Sequence, residues 1–126
     1  MQHHAPSETY VLRIEDDAGH VVVLSSDTGY YEPLAAFARD ADVLVHECYL
    51  RGGAQFTTEP SSFTARLSEV HVTPEQAGAL GRLAEAKQLV LTHLPAGTDD
   101  ADVTARASQS YGHQALVGRD FLRLRI

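Results

Sequence analysis

The run Val21-Val22-Val23-Leu24-Ser25-Ser26-Asp27-Thr28-Gly29 decides how the chain is read. Four consecutive apolar residues, three of them β-branched, favour a strand buried on both faces. The run stops at an acid beside a glycine, the composition of a tight turn. Glu32-Pro33 then opens a helix in which Leu34, Phe37, Ala38 and Ala41 form one apolar stripe at i, i+3, i+4 and i+7. Strand, acidic turn and helix together deliver one carboxylate to the edge of a sheet. Two later strands repeat the layout with histidines: Val43-Leu44-Val45 ends in His46-Glu47, and Leu89-Val90-Leu91-Thr92 ends in His93. Ligands of open α/β sheets bind beyond the carboxyl ends of the strands. Asp27, His46, Glu47 and His93 are therefore the first candidates for function.

Outward from that frame, Thr9–Glu15 alternates in β formers, and Asp16-Asp17-Ala18-Gly19 supplies a turn, so the chain opens on a hairpin. Tyr49–Val70 reads as a long loop, with Gly52-Gly53 and Glu59-Pro60 as breakers and one helical turn around Phe63–Leu67. A second clear helix follows His71-Val72. Thr73 is its N-cap, Pro74 its first residue, and Gln76 holds the capping-box position. Gly78 and Gly81 in that helix mark close backbone packing. Asp100 or Asp102 starts a third helix, which Gly112 stops after Tyr111. Gln114–Val117 and Phe121–Arg125 read as two terminal strands. The order predicts an α/β layered fold: a mixed sheet with about three helices, its apolar strands covered by helices.

Composition bounds the function. A chain of 126 residues is one domain with room for a core. A net charge of −7 argues against a nucleic-acid coat or membrane-surface role through bulk electrostatics. The lone Cys48 excludes an internal disulfide framework and fits a reducing compartment. No apolar run approaches the roughly 18 residues of a membrane span, so a cytoplasmic location with no membrane partner is the expectation. Seven histidines are the one compositional oddity. Imidazole and carboxylate together suit zinc or a similar first-row ion. Each residue also has a plainer reading. Asp27 satisfies an Asx turn, His46 is a hydrogen-bonded core histidine, His93 is structural, and His71, just before a helix start, is merely exposed. His20 and His113 sit on the surface, and Tyr30-Tyr31 is a packing pair.

The order of these residues carries more than any one of them. Ser25-Ser26-Asp27-Thr28, Leu44-Val45-His46-Glu47, His71-Val72-Thr73 and Leu91-Thr92-His93 follow one another along the chain. Upstream stand His4-Ala5-Pro6-Ser7-Glu8-Thr9-Tyr10 and Arg13-Ile14. The series resembles the C-terminal half of the metallo-β-lactamase-fold metallohydrolases, specifically the ribonuclease Z-like branch. The resemblance implies the second half of an αββα sandwich, spanning residues 1–126 as a single domain.

It also implies roles. Asp27 would bridge two metal ions, with His93 ligating one and His4 the other, and His3 as the alternative to His4. His71 would act with Asp27 as a catalytic group, near the scissile bond and not as a ligand. His46 and Glu47 would orient the loop that holds His71. The implied cofactor is zinc, or manganese or iron, with two ions only in the complete fold. The implied chemistry is attack by a metal-activated water on a phosphodiester or a related small ester, a lactone included.

The family's His-x-His-x-Asp-His motif is absent from the 126 residues. Ser26 replaces the usual glycine before Asp27, and Leu94-Pro95-Ala96-Gly97 replaces the segment that follows His93 in transfer-RNA-processing members. The chain is therefore expected to be a truncated product, weak alone, or to need a partner chain or self-association to complete the fold. The rival expectations are a non-catalytic interaction domain with relic ligands and a simple metal-binding module built from His4, Asp27 and His93.

Overall fold

The computed structural model describes residues 8–50 and 61–126; His3 and His4 lie outside the described residues. Strand β1 (Leu12–Glu15) and strand β2 (Val21–Leu24) form the antiparallel hairpin. Helix α1 (Pro33–Phe37) and strand β3 (Val43–Glu47) follow. Helices α2 (Ser61–Val70) and α3 (Pro74–Leu83) lead to strand β4 (Leu89–Thr92). Helix α4 (Asp100–Tyr111) and strand β5 (Leu116–Val117) complete the order. The sheet runs β1-β2-β3-β4-β5, with β2 through β5 parallel. Among the described residues the fold is α/β, a mixed five-stranded sheet with three longer helices and the short α1.

The strand order explains where the helices sit. Right-handed crossovers that always advance in one direction place every crossover helix on the same face. Val21, Val23, Leu44, Leu89 and Leu91 accordingly share one core with Leu34 of α1, Ala38 at its C-terminal cap, Leu80 of α3 and Val103 and Tyr111 of α4. The side chains of opposite parity lie outside that core. Val43 and Val90 at the sheet centre are buried, Val22, Leu24, Val45 and Leu116 are half-buried, and Leu12 and Ile14 are 50% and 55% exposed. Strands apolar on both faces predict helices over both; the topology supplies the described crossover helices to one.

Local signals behave as their chemistry dictates. The Thr73–Gln76 capping box is complete. Asp99 caps α4 by accepting from Ala101 N and Asp102 N, and Gly112 ends it at φ 86°. A Cβ at Gly78 would overlap the carbonyl oxygen of Ala107, so α3 and α4 touch through backbone there. Gly78→Ala gains about 1 kcal/mol of helix propensity but forces overpacking, which costs about 1–3 kcal/mol. A net loss in stability is therefore expected, read as a lower urea midpoint at unchanged slope.

Two sequence expectations are corrected. The Ser/Thr content of residues 61–70 reads as loop, yet this segment forms the ten-residue helix α2. Phe121–Arg125 does not form a strand. A turn closed by Leu122 N donating to Arg119 O, with Phe121 at φ 64°, carries the chain off the sheet after Val117.

Candidate metal site at the strand ends

The parallel register brings the ends of β2, β3 and β4 side by side. Ser25 N donates to Val45 O at 2.9 Å, and Cys48 N donates to Thr92 O at 2.8 Å. Each flanking strand then leaves the sheet through a left-handed residue, Ser26 at φ 55° and His93 at φ 55°. Non-glycine residues take that conformation at a cost and only when their surroundings impose it. Ser26 is held there by its hydroxyl, which donates to Tyr10 O at 2.8 Å. Gly29 is needed for a different reason. A Cβ there would overlap the Glu69 carbonyl, so the turn after Asp27 lies against the end of α2.

These backbones present Asp27 and His93 to each other. Asp27 Oδ1 lies 3.0 Å from His93 Nδ1, with the two side chains 53% and 42% exposed. Beside them, Glu47, His71 and His93 each offer a ligand atom, all within 4.8 Å of one another. His71 Nδ1 is 3.5 Å from Glu47 Oε2. The structure thus joins Asp27 to His93, and His93 to His71 and Glu47. His46 is kept apart: it is fully buried on the helix-covered face, in register with Leu91.

Glu47 is the tie between the segments. Its Oε1 accepts from Val72 N at 2.9 Å, and its Oε2 accepts from Tyr49 N at 2.8 Å. A backbone hydrogen bond from Thr28 reaches it as well. One carboxyl group therefore holds the residue after His71, the residue after Asp27 and the start of the chain beyond β3. Burial pushes its pKa up to about 8, and the three backbone donors act against that shift.

His46 shows the reverse sign. Burial lowers its pKa to about 4. Its Nδ1 donates to Glu47 O at 2.8 Å, which fixes the neutral ring, and no partner for Nε2 exists among the described residues. Above pH 6.5 both folded and unfolded chains hold this group neutral. Below it the unfolded chain takes up a proton that the folded chain refuses until about pH 4. Stability is then expected to fall by about 3 kcal/mol between those limits. In urea titrations at pH 7 and pH 4.5, a His46→Leu protein should lose less stability on acidification than the parent. Equal losses would contradict this assignment. Cys48 offers no nucleophile, because burial pushes its thiol up to about 12.

Sequence reasoning missed Tyr49. Its ring lies 4.6 Å from the His71 ring and 5.0 Å from the His93 ring, centroid to centroid. Nothing in the sequence distinguishes it from a packing aromatic; only its place two residues after Glu47 hints at the site.

Residues 1–94 match the family described as the beta-lactamase superfamily domain. The chain is 34% identical over 119 residues to the uncharacterized protein ML1173 of Mycobacterium leprae, covering 92% of this chain and 38% of that protein. It is 33% identical over 90 residues to the probable metallo-hydrolase YhfI of Bacillus subtilis, covering 71% of this chain and 32% of YhfI. With ribonuclease Z of Bacillus subtilis it shares 42% identity over 78 residues, covering 62% and 23%. The crystal structure of the metallo-β-lactamase fold protein YhfI from Bacillus subtilis is similar with a TM-score of 0.76 at 24% identity, over 94% of this chain and 45% of that one. Human tRNase Z, short form, has a TM-score of 0.54 at 20% identity, over 89% and 40%. The chain therefore spans less than half the length of these relatives. With the matched family over residues 1–94 and the identity to the probable metallo-hydrolase in agreement, the chain belongs to the metallo-β-lactamase superfamily and is similar to ribonuclease Z over part of its length.

Proposed function

We propose that this chain forms the C-terminal half of a metal-dependent hydrolase acting on phosphodiesters, with its site at the ends of β2, β3 and β4. The observation that carries the reading is the convergence of Asp27, His71, His93 and Glu47 from four separate segments. The donor set fits a first-row divalent ion. It combines imidazole nitrogen and carboxylate oxygen, and the lone thiol is buried and protonated. Asp27 and His93 would hold the ion, with His4 as a further ligand from outside the described residues. A bound divalent ion supplies Lewis acidity and lowers the pKa of a coordinated water toward neutrality.

The remaining roles fall to the chain's own residues. His71 stands beside the ligands and is the group placed to contact the phosphoryl oxygens or pass a proton to the leaving oxygen. Glu47 fixes the loops of Asp27 and His71 through its three backbone donors. His46 holds the Glu47 carbonyl. The name ribonuclease Z among the relatives supports a phosphodiester over a lactone or other small ester. The test is hydrolysis of bis(p-nitrophenyl) phosphate with added zinc or manganese. Weak turnover that Asp27→Ala removes supports the reading. Turnover unchanged in that variant contradicts it.

A second reading concerns completeness. Among the described residues no crossover helix covers the sheet face carrying Leu12 and Ile14, and the relatives are more than twice as long as the matched stretch. Apolar sheet faces of this kind associate. The 126-residue chain is expected to self-associate, with a mass in light scattering that rises with concentration. A constant monomer mass would exclude this.

A further inference from the structure

We infer that Tyr49 is a positioning residue of the site: its ring fixes the planes of both the His71 and the His93 imidazoles. The inference uses the metal reading only for what the fixed imidazoles serve.

Three rings form one cluster. Tyr49 meets His71 at an interplanar angle of 37° and His93 at 35°, and the two imidazoles meet edge-on at 5.5 Å. These separations lie in the range where aromatic rings attract one another in defined geometries. Each imidazole also has one carboxylate near its Nδ1, Glu47 for His71 and Asp27 for His93. A ring packed against both imidazoles restricts the turning of each about its Cβ–Cγ bond.

The backbone around Tyr49 is built to hold such a post. Cys48 N donates to Thr92 O, one residue before His93. Tyr49 N donates to Glu47 Oε2. Leu50 N donates to Val72 O, one residue after His71. Three consecutive amides thus bind the Tyr49 segment to the His93 segment, to Glu47 and to the His71 segment. The two histidines come from different elements, 22 positions apart in sequence. Tyr49 is the described aromatic residue that touches both. At 37% exposure it retains a solvent-facing part, so it is not simply a member of the core.

The contact uses the ring and not the hydroxyl, so Phe and Leu at this position should separate. Full-length chains carrying Tyr49→Phe, Tyr49→Leu and the control Tyr30→Leu are compared in two measurements. The first is the nuclear Overhauser contact between the His71 and His93 ring protons in the metal-free protein. The second is zinc affinity by calorimetry. Tyr49→Phe and Tyr30→Leu are expected to keep the inter-ring contact and to bind zinc within about twofold of the parent. Tyr49→Leu is expected to lose the contact and to weaken zinc binding by about tenfold or more, the scale on which groups that orient metal ligands act. Thermal unfolding of Tyr49→Leu checks that the fold survives. If Tyr49→Leu keeps the inter-ring contact, the inference is overturned. If the parent takes up no zinc, the metal reading fails, and the inter-ring contact alone decides the role of Tyr49.

Discussion

An Asp27→Ala chain is expected to lose more than about 100-fold in zinc affinity, beyond the 10–100-fold typical of outer partners, and to keep nearly the stability of the parent. Both halves of that expectation come from geometry. Asp27 sits on an exposed turn whose shape is set by Ser26 and Gly29, so removing the carboxyl leaves the turn intact. The Asp27–His93 pair is exposed on both sides, and such pairs contribute at most about 1 kcal/mol. Calorimetric titration with zinc, paired with urea denaturation, reads both quantities. A variant that binds zinc like the parent would remove Asp27 from the ligand set. One that unfolds would show the carboxyl to be structural.

Glu47→Ala is expected to behave in the opposite way. The residue is fully buried, and alanine would strand the amides of Tyr49, Val72 and Thr28 without an acceptor. A buried amide left unsatisfied costs about 1–3 kcal/mol. With several lost at once, the variant should be destabilised by roughly 3 kcal/mol or more, a large part of the 5–15 kcal/mol that a domain has. Glu47→Gln keeps one carbonyl oxygen as an acceptor and should fall between parent and alanine. The measurement is the urea midpoint at pH 7. A change below about 0.5 kcal/mol, the usual range for surface substitutions, would show that Glu47 does not tie the segments together.

The contrast between these two carboxylates was only partly legible in the sequence. Val21–Leu24, Val43–Val45 and Leu89–Thr92 announced themselves as strands because β-branched runs ending on a polar residue have few other uses. The caps at Thr73 and Gly112 were equally legible, since capping is a local chemistry of three or four residues. Asp27 and His93 are 66 positions apart, and no local pattern states that they touch. Their pairing was reached only through the ordered series of motifs. Glu47 stood beside His46 as one of a pair, yet the structure separates them. The carboxyl of Glu47 gathers backbone from the site, and the ring of His46 turns into the core. Which of two adjacent strand-end residues faces the site depends on register and on the turn beyond it. A single sequence does not encode either in readable form.

Other features were hidden for identifiable reasons. Tyr49 gains its role from two histidines far from it in sequence, so its own residue type carries no signal. The segment Phe121–Arg125 has the alternation of a strand, but a strand needs a partner, and the turn at Arg119–Leu122 takes the chain away from one. The bare sheet face is a property of strand order. Had the strand order β1-β2-β3-β4-β5 reversed its direction partway across the sheet, right-handed crossovers would have placed helices on both sides.

The central claim is that an imidazole–carboxylate site at the ends of β2, β3 and β4 holds a first-row metal ion. Zinc K-edge X-ray absorption of the chain loaded with one equivalent of zinc tests it most directly. The predicted result is a shell of nitrogen and oxygen at about 2.0–2.2 Å, with imidazole scattering that weakens in His93→Ala. An ion retained without imidazole scattering, or one bound through sulfur at about 2.3 Å, would contradict the account.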